Sequence, residues 1–521
     1  MTDDTDGWQA AIDELRARKR QALAQGGDAA IERLHARGKL SARERIALLV
    51  DEGSFEELGL LAEGQIPGRA DEKGVPADAV VTGWGEIGGR RVLIAADDGS
   101  IMGGAGGILN IEKRFRLRRI AVEQGYPYIG LYEGSAIRFQ DSMDAAIMTR
   151  IPAFKEVADC AGVVPQVAAV LGPCFGRPPA DVVFSQFAVM AEKTGFLGLS
   201  GPTLVRGGIG ESVDIAELAG PKMHAALTGI IDHVAATEQD CIDAIRTFID
   251  FMPSSAWERP ESRKSDDGER SCPELLKLVP HNVRKPYDVR PVVEAICDRG
   301  CGLEFKPDFG RSLVTKLARL NGEVVGIIAS QTKFRGGVID ANAAFKGRRF
   351  VALCDAFNIP LVFLQDQPGF LPGKDSEAAN IVYWGNTFLA AVQRATVPKL
   401  TVVLRRGHGA ALWAMGFGGE YGEGADIVAA WPSAIVTGTG PASAVFTIHA
   451  KELEAAENPN ALRGKLEQQY NATGSAYRGA MNFGIQTIIE PQDTRRFLIR
   501  ALSLASRKLT RKLGPKPQLF P

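Results

Sequence analysis

The chain has 521 residues, 45% of them hydrophobic, and its 61 basic side chains nearly balance its 62 acidic ones. This composition is typical of a globular protein with a sizeable core, and it argues against a dedicated nucleic-acid binder or a polybasic membrane surface. Seven scattered cysteines suit a reducing compartment, and no run of 18 apolar residues predicts a membrane span. The first 30 residues are polar and charged, unlike a signal peptide, so we expect a cytoplasmic protein.

Composition divides the chain into four regions. Residues 1–50 are dense in Glu, Arg, Ala and Leu and predict an N-terminal helical region. Residues 51–252 predict a first α/β domain, residues 253–288 a linker rich in Ser, Pro and charged side chains, and residues 289–521 a second α/β domain. Strands that alternate with helices in both large regions indicate an α/β architecture.

A long internal repeat relates the two large regions. Residues 89–176 align without a gap on residues 322–409, and eighteen of the 88 positions are identical, against about seven expected by chance. A repeat of this period indicates one domain used twice rather than a solenoid. Two related domains can bind two similar groups and hold them face to face. The identities include residues that shape the backbone, namely Gly103, Gly104, Pro127, Pro165 and Gly176, which match Gly336, Gly337, Pro360, Pro398 and Gly409.

The loops that follow the buried strands carry the most informative residues. In the second half they are residues 366–373 (DQPGFLPG) and 406–411 (RGHGAA), and their counterparts in the first half are residues 133–138 (EGSAIR) and 172–176 (GPCFG). Small residues at the start of a helix leave backbone N–H groups free to hold an oxyanion. Alternatively, the small residues only let each helix pack tightly on its sheet. Their recurrence at equivalent places in both halves favours an oxyanion site.

Side chains suited to acid–base or metal chemistry are scarce. The sequence contains no G-x-S-x-G, H-E-x-x-H or phosphate-binding loop motif. His408 is better interpreted as a packed, hydrogen-bonded residue than as a base. The basic stretch 113–119 could meet ligand phosphates, although a solvated helix face explains most of its charges. Cys297 and Cys301 lack a second pair of ligands, so we expect no metal site, and a site of backbone donors suits stabilisation of an enolate.

Several motifs together resemble those of one known family: the carboxyltransferase (β) subunits of biotin-dependent acyl-CoA carboxylases, such as propionyl-CoA and methylcrotonyl-CoA carboxylase. The similarity runs from about residue 30 to residue 510, with departures that make the chain a divergent member. The motifs are residues 35–46 (HARGKLSARERI), 51–55 (DEGSF), 217–220 (ELAG), 228–233 (TGIIDH), 285–289 (KPYDV), 354–360 (CDAFNIP) and 368–373 (PGFLPG).

The resemblance implies a fold, a reaction and partners. The fold is α/β, with tandem duplicated crotonase-like (ClpP/crotonase) domains after the N-terminal helical extension. The reaction moves carboxylate from N1′-carboxybiotin to the α-carbon of an acyl-CoA, with one oxyanion hole for the thioester enolate and one for the ureido oxygen of biotin. Biotin is carried by a partner, the biotin carboxylase and biotin carboxyl carrier (α) subunit, and no metal is expected in this chain. The active site needs a dimer, usually within a hexamer.

The resemblance also implies site residues. It places the oxyanion hole of the second domain at Gly409, Ala410 and Ala411, and that of the first domain at Ser135, Ala136 and Ile137. Trp413 is interpreted either as a wall of the acyl pocket or as an indole packed in the core. The substrate-binding positions implied are Gly103, Gly104, Lys113, Arg138, Gly172, Gly176, Gly369, Phe370 and Trp413.

Three segments depart from the family pattern, and all three lie at the implied active site. They are residues 133–140, residues 172–180 and residues 383–386. The second of these contains Pro178, which has a fixed φ and no N–H to donate. Three hypotheses follow: a carboxylase subunit, the corresponding subunit of an acyl-CoA decarboxylase, and a catalytically silent assembly or regulatory paralogue.

Overall fold

The computed structural model describes residues 4–66, 74–134, 137–152, 154–300, 302–418, 424–508 and 512–516. Its contacts separate two compact units, Met1–Ala256 and Trp257–Phe520. Within the described ranges, every helix is too short or too polar to cross a lipid bilayer.

The first unit begins with helices, as residues 1–50 predict. The third of them, α3, has a capping box in which Ser41 and Glu44 satisfy each other's backbone N–H groups. The helices of this unit are α1 (Asp4–Leu23), α2 (Asp28–His35), α3 (Ala42–Leu49), α4 (Ile108–Gln124), α5 (Phe139–Ser142), α6 (Ala145–Met148), α7 (Lys155–Cys160), α8 (Pro178–Phe184), α9 (Pro202–Ile209), α10 (Ile215–Ala219) and α11 (Glu238–Phe251).

The strands of the first unit form a seven-stranded sheet with the order β1-β4-β5-β6-β7-β9-β11 and two small two-stranded sheets, β10-β8 and β2-β3. Every residue of β6, β7 and β9 is buried, which explains their continuous apolar runs. The strands are β1 (Glu56–Leu58), β2 (Glu63–Gly64), β3 (Val75–Pro76), β4 (Val80–Ile87), β5 (Arg90–Asp97), β6 (Tyr128–Tyr132), β7 (Gln166–Val170), β8 (Pro173–Phe175), β9 (Phe187–Ala191), β10 (Phe196–Gly198) and β11 (His233–Ala235).

The strands of the second unit follow the order β12-β13-β14-β15-β16-β17-β19, and β18 pairs with the end of β16. They are β12 (Leu303–Phe305), β13 (Leu313–Leu320), β14 (Glu323–Ser330), β15 (Leu361–Gln367), β16 (Lys399–His408), β17 (Ile427–Ala430), β18 (Ile435–Thr437) and β19 (Thr487–Ile488). The helices are α12 (Leu275–Leu278), α13 (Arg290–Ile296), α14 (Ala341–Ala356), α15 (Lys374–Ala378), α16 (Ile381–Arg394), α17 (Ala411–Ala414), α18 (Pro441–Ile448), α19 (Ala450–Ala455), α20 (Pro459–Thr473), α21 (Ala476–Met481) and α22 (Thr494–Ala505).

The two main sheets have the same pairing pattern. In each, the first two pairings are antiparallel and the next four are parallel. The long antiparallel hairpins β4–β5 and β13–β14 close on Gly88-Gly89 and Asn321-Gly322 respectively. All four residues have positive φ, between 52° and 84°. Such φ values are those of the two-residue turn that fits the twist of a hairpin, so both halves use the same local solution.

The prolines conserved between the halves start the parallel pairings. The amides of Leu93 and Gly326 donate to the carbonyls of Pro127 and Pro360, both at 2.8 Å. One strand further on, Tyr128 and Leu361 donate to Pro165 and Pro398 at 2.9 and 2.8 Å. Residues that match in the repeat therefore make equivalent hydrogen bonds between strands in the two units.

Much of the segment predicted as a linker, residues 253–288, is hydrogen-bonded within the second unit. The Arg405 guanidinium donates to the carbonyls of Pro280, Asn282 and Lys285 at 2.9, 2.9 and 3.1 Å. The Tyr287 amide donates to Thr332 Oγ1 at 2.9 Å. This part of the chain is held against the sheet by specific contacts.

Candidate active site

The predicted loops lie where parallel strands end, the edge of an α/β sheet at which ligands usually bind. In the second unit, Gly409 follows β16 and adopts φ 64°. Its N–H donates to the carbonyl of Thr437 at 3.1 Å, so this predicted donor is already used. Ala410 is the N-cap residue of α17 and Ala411 is its first residue, and their N–H groups have no partner in the part of the chain that the structure describes. Two of the three predicted donors are therefore free.

The corresponding loop of the first unit begins with the same geometry and then differs. Gly176 has φ 80°, and its N–H donates to the carbonyl of Leu199 at 3.1 Å, as Gly409 does to Thr437. The next two positions are Arg177 and Pro178, the latter at the start of α8. Because Pro178 has no N–H, the first unit has one backbone donor fewer than the second at this place.

A second loop approaches the same edge of each sheet. The Leu371 amide donates to the Ile339 carbonyl at 2.8 Å, and in the first unit the Arg138 amide donates to the Gly106 carbonyl at 2.9 Å. These bonds fix Gly369 and Phe370 in one unit and Ile137 in the other. Ser135 and Ala136, predicted for the first oxyanion hole, lie outside the described residues.

A buried carboxylate opens each of these loops, and two basic side chains hold it. Glu133 forms ion pairs with Lys39 and Arg45, both from the motif at residues 35–46. The corresponding Asp366 accepts hydrogen bonds from Arg405 Nε at 2.6 Å and Arg406 Nε at 2.8 Å. The start of the loop is thus anchored by paired charges in both units, with partners from unrelated parts of the sequence.

The repeated Gly-Gly pair forms the same turn in both units. Gly103 and Gly336 have φ of 63° and 64°, and Gly104 and Gly337 have φ of 79° and 85°. A Cβ on Gly104 would lie 2.8 Å from the Cα of Gly134, so the turn and the loop that follows β6 are in backbone contact. Gly104 cannot accept a side chain without moving that loop.

Lys113 is bound to the backbone at the start of β4. Its ammonium donates to the carbonyls of Ala77 and Val80 at 3.1 and 2.6 Å, and burial lowers its pKa to about 8. The equivalent Lys346 donates to three carbonyls, and burial lowers its pKa to about 7. Both lysines hold the segment that enters the first long strand, and contact of Lys113 with a ligand remains a prediction.

Arg138 and Gly172 also support the loop. The Arg138 guanidinium is buried in ion pairs with Asp78 and Asp141. A Cβ on Gly172 would lie 2.8 Å from the Glu133 side chain and 2.9 Å from Lys39 Nζ. The absence of a side chain at Gly172 therefore makes room for the ion pair that anchors the loop.

Trp413 and His408 differ in their exposure. The indole of Trp413 is 43% exposed on α17, which excludes the interpretation as a core residue. His408 is buried, and its Nδ1 shares a 2.8 Å hydrogen bond with Thr437 Oγ1, whose hydroxyl donates to the Thr439 carbonyl. Burial, reinforced by nearby Arg406, lowers the pKa of His408 to about 4. The expectation of a packed histidine agrees with this environment.

The first unit contains a cavity of about 420 Å³ beside these loops. Three of the predicted residues, Gly104, Ile137 and Gly176, line it. Three charged residues also line it, Asp97, Arg114 and Asp181, of which only Arg114 lies in a stretch that the sequence analysis considered for ligand binding. The signal was present in the internal repeat, since none of the three is matched by a charged residue in the second half, where Ser330, Gly347 and Ala414 stand.

The interpretation of residues 113–119 as a solvated helix face is wrong for Arg114 and Arg118. Arg114 and Arg118 are only 4% and 1% exposed, and Arg116 and Arg119 carry the solvated charge. The two buried guanidinium groups point to the sheet side of α4, where Tyr132 and Tyr128 lie under them at 5.2 and 4.4 Å from the ring centres. Among the described residues, no three His, Cys, Asp or Glu side chains are arranged to hold a metal ion.

Similarity to known proteins agrees with this geometry. Residues 33–519 match the family model described as the carboxyl transferase domain. The carboxyltransferase subunit of propionyl-CoA carboxylase from Haloferax mediterranei is 35% identical over 504 residues, covering 95% of this chain and 96% of that protein. The methylmalonyl-CoA decarboxylase subunit alpha of Propionigenium modestum is 35% identical over 500 residues, covering 95% and 96%.

A solved relative shares both sequence and fold. The crystal structure of transcarboxylase 12S, with methylmalonyl-coenzyme A and methylmalonic acid bound, superposes with a TM-score of 0.90 and 35% identity over 98% of each chain. The methylmalonyl-CoA carboxyltransferase 12S subunit of Propionibacterium freudenreichii subsp. shermanii is 36% identical over 516 residues, 98% of this chain and 97% of that one.

The fold shared with transcarboxylase 12S and the match to the carboxyl transferase domain place the chain in a carboxyltransferase class of enzyme. The match along nearly the whole chain shows that this protein belongs to the carboxyl transferase family. The predicted resemblance and the predicted α/β fold of duplicated crotonase-like domains are both confirmed.

Proposed function

We propose that this chain is the carboxyltransferase subunit of a biotin-dependent acyl-CoA carboxylase, with biotin supplied on a carrier partner. The observation that supports this most directly is the free pair of N–H groups at Ala410 and Ala411, next to a glycine whose own N–H is occupied. Two neighbouring donors without a partner among the described residues suit an oxygen that gains charge during the reaction.

In this proposal the two units hold different oxygens. Ala410 and Ala411 donate to the ureido oxygen of biotin, and the loop at residues 134–138 of the first unit holds the thioester oxygen. When bound, carboxybiotin would supply the activated carboxylate for the α-carbon, with its ureido oxygen held by Ala410 and Ala411. The anchored carboxylates Glu133 and Asp366 position the loops and do not take the α-proton, since each is held in ion pairs.

The names of the relatives indicate the substrate class and the partner subunits that we propose. Their names include propionyl-CoA carboxylase and methylmalonyl-CoA carboxyltransferase, and a hexamer assembly is named for the 12S structure. We therefore infer an acyl-CoA substrate, a separate biotin carboxylase and carrier subunit, and a homohexamer built of dimers, located in the cytoplasm.

A second candidate keeps the site and reverses the reaction. The methylmalonyl-CoA decarboxylase subunit of Propionigenium modestum is as similar as the carboxylase subunit, at 35% identity. In that case the carrier partner receives carboxylate from the acyl-CoA. The relatives named above all bear the names of enzymes, which gives no support to a catalytically silent paralogue.

One experiment tests the proposal. The chain is purified with its co-purifying partners, and an acyl-CoA panel is screened for carboxylation that needs ATP and bicarbonate. Turnover of a thioester is expected. No turnover in the presence of a biotinylated partner would exclude the carboxylase, and carboxylate transfer only from a carboxylated acyl-CoA to the partner would establish the decarboxylase.

A substitution tests the oxyanion hole itself. Ala410 has φ −63° and follows a glycine, so Ala410→Pro fits the backbone while it deletes one donor. Loss of a preorganised donor typically costs about 3–4 kcal/mol of barrier, a fall in rate of about 100- to 1000-fold. Ala410→Ser keeps the N–H and is the matched control, for which activity within a few-fold of wild type is expected. Full activity of Ala410→Pro would mean that the hole lies elsewhere.

A further inference from the structure

The cavity of the first unit lies beside an interrupted helix. In the second unit, α16 runs without a break from Ile381 to Arg394. The equivalent residues in the internal repeat, 148–161, comprise the end of α6, an irregular stretch and α7. Pro152 lies in that stretch, and a proline interrupts a helix because it lacks an N–H and clashes with the preceding turn. Residues on both sides of the break line the cavity.

The second unit packs an aromatic ring at the equivalent place. Phe370 lies against α16 at Gly385, where a Cβ would be 3.3 Å from the ring. The equivalent residues of the first unit are Ile137 and Pro152, and both line the cavity of about 420 Å³. The same architecture can therefore close this place with a side chain, so the fold does not require a cavity there.

The side of the cavity next to the interrupted helix is apolar. Met148, Ile151 and Phe154 line it there, while Ile111 and Ile137 line it from α4 and from the loop after β6. Met148 and Phe154 are each 43% exposed. Large apolar side chains that line a cavity and remain this exposed gain free energy when an apolar group covers them.

The charged side chains near the cavity are committed to one another. Arg114, Arg118 and Arg177 each form an ion pair with a buried carboxylate. Arg114 Nη1 and Asp181 Oδ1 lack a hydrogen-bonding partner among the described residues, but both atoms have almost no accessible surface. These groups therefore offer little to a polar ligand, and recognition depends on the apolar side chains.

The volume of the cavity suits an acyl group longer than propionyl. A protein cavity of about 150 Å³ lined by Leu, Ile and Phe side chains stays dry and holds benzene, a molecule of six carbons. The cavity of the first unit has nearly three times that volume. A propionyl group, with only two carbons beyond its carbonyl, would leave most of this space unfilled.

We propose that this cavity receives the apolar chain of a medium-chain acyl-CoA, with about six to twelve carbons in the acyl group. The inference rests on the proposed function and names the substrate class of that site. Ile137 belongs to the loop that the proposed function assigns to the thioester oxygen, and it also lines the cavity. A chain attached to a thioester held by this loop can therefore extend past Ile137 towards Met148 and Phe154.

Binding is measured by titration calorimetry on the full chain with propionyl-, hexanoyl-, octanoyl- and decanoyl-CoA, each below the concentration at which it forms micelles. Burial of one methylene tightens binding about fourfold. Octanoyl-CoA is expected to bind at least about 30-fold more tightly than propionyl-CoA, which is less than full burial of every added methylene would give. A smaller ratio would overturn the inference, and the proposed function would stand because a thioester still binds.

If the wild-type chain binds none of the thioesters, the proposed function itself fails. Met148→Trp tests whether the chain occupies the cavity. Met148 ends α6 and is partly exposed, so a larger side chain can be accommodated while it takes up space in the cavity. The ratio of the two dissociation constants is expected to fall about tenfold, with the Kd of propionyl-CoA within a few-fold of wild type.

Met143 provides a matched control in the same part of the chain. It directly follows α5, is 82% exposed, and is not among the described residues that line the cavity. Met143→Trp adds the same bulk and is expected to keep the wild-type preference for octanoyl-CoA. Unchanged thermal transitions show that both variants are folded. Should the two variants give the same ratio of dissociation constants, the acyl chain would bind elsewhere, and the inference would be wrong.

Discussion

His408 directly precedes Gly409 and lies close in sequence to the free N–H groups of Ala410 and Ala411. Its surroundings nevertheless keep the imidazole neutral. Its pKa of about 4, set by burial and by Arg406, is below the ordinary value of 6.5. As pH falls from about 6.5 to 4, the unfolded chain takes up a proton that the folded chain refuses, so the free energy of unfolding decreases. The residue therefore makes the fold sensitive to acid without serving as a base near neutral pH.

His408→Gln should abolish this acid sensitivity. Wild type is expected to lose on the order of 2–3 kcal/mol relative to the variant between pH 6.5 and pH 4, because each unit of pKa shift corresponds to about 1.4 kcal/mol. The measurement is urea unfolding at a series of pH values. His281→Gln, at an exposed histidine, controls for the loss of any imidazole. Parallel pH profiles for wild type and His408→Gln would contradict the prediction.

Glu133→Gln tests the anchor of the first loop. The variant keeps the shape of the side chain but leaves Lys39 and Arg45 buried without this carboxylate. Breaking a buried pair typically costs about 3–5 kcal/mol, and the low end is expected because Arg45 still pairs with Glu238. Chemical denaturation measures the change. Glu14→Gln, in an exposed pair with Arg18, should cost less than about 1 kcal/mol, and equal effects of the two substitutions would refute the buried anchor.

The equivalent hairpin turns at Gly88-Gly89 and Asn321-Gly322 differ in how much space surrounds their second glycine. A Cβ on Gly89 meets open space, whereas a Cβ on Gly322 would lie 1.6 Å from the carbonyl oxygen of Arg263. Gly89→Ala should therefore cost only the left-handed backbone penalty, about 1–2 kcal/mol. Gly322→Ala should cost clearly more, because residues near 263 must also move. Thermal unfolding of the two variants measures the difference, and equal losses would show that the contact is unimportant.

The helices that follow the glycine loops, α8 in the first unit and α17 in the second, begin differently in the two halves. In the second unit, the N-cap residue Ala410 and the first residue of α17, Ala411, have N–H groups without a partner among the described residues. In the first unit, α8 begins with Pro178 after Arg177, and this arginine pairs with Glu156. The same strand-to-helix transition thus presents backbone donors in one unit and a wall of charged side chains in the other.

At the scale of the whole molecule, large apolar side chains are exposed on both units. They include Leu199 and Ile209 in the first unit and Phe446 and Met481 in the second, each more than 70% exposed. Association of subunits in the proposed hexamer would bury some of these side chains. The purified chain is expected to have a mass near six times 55.9 kDa by light scattering, and Ile209→Asp is expected to lower it. A monomer at micromolar concentration would contradict the proposed hexamer.

The sequence predicted the architecture well, because positions that match in the repeat also occupy equivalent places in the two sheets. Positions such as Pro127 and Pro360 or Gly103 and Gly336 match in sequence and also in hydrogen bonds and φ. The binding role of the glycine loops stays a prediction. The burial of Arg114 and Arg118 escaped prediction because a run of basic residues on a helix usually faces solvent. Only tertiary packing shows which of those charges are buried.

The repeated register has a consequence for how the chain folds. The two β-hairpins close on turns of two residues and can form early, whereas every parallel pairing joins distant segments and forms more slowly. During that interval, β5 faces two partners of the same geometry, β6 and its counterpart β15, and a chain with identical halves would risk mispairing between domains. Eighteen identities in 88 positions leave the halves different enough to discriminate. Sequence divergence between the domains therefore also guards against misfolding.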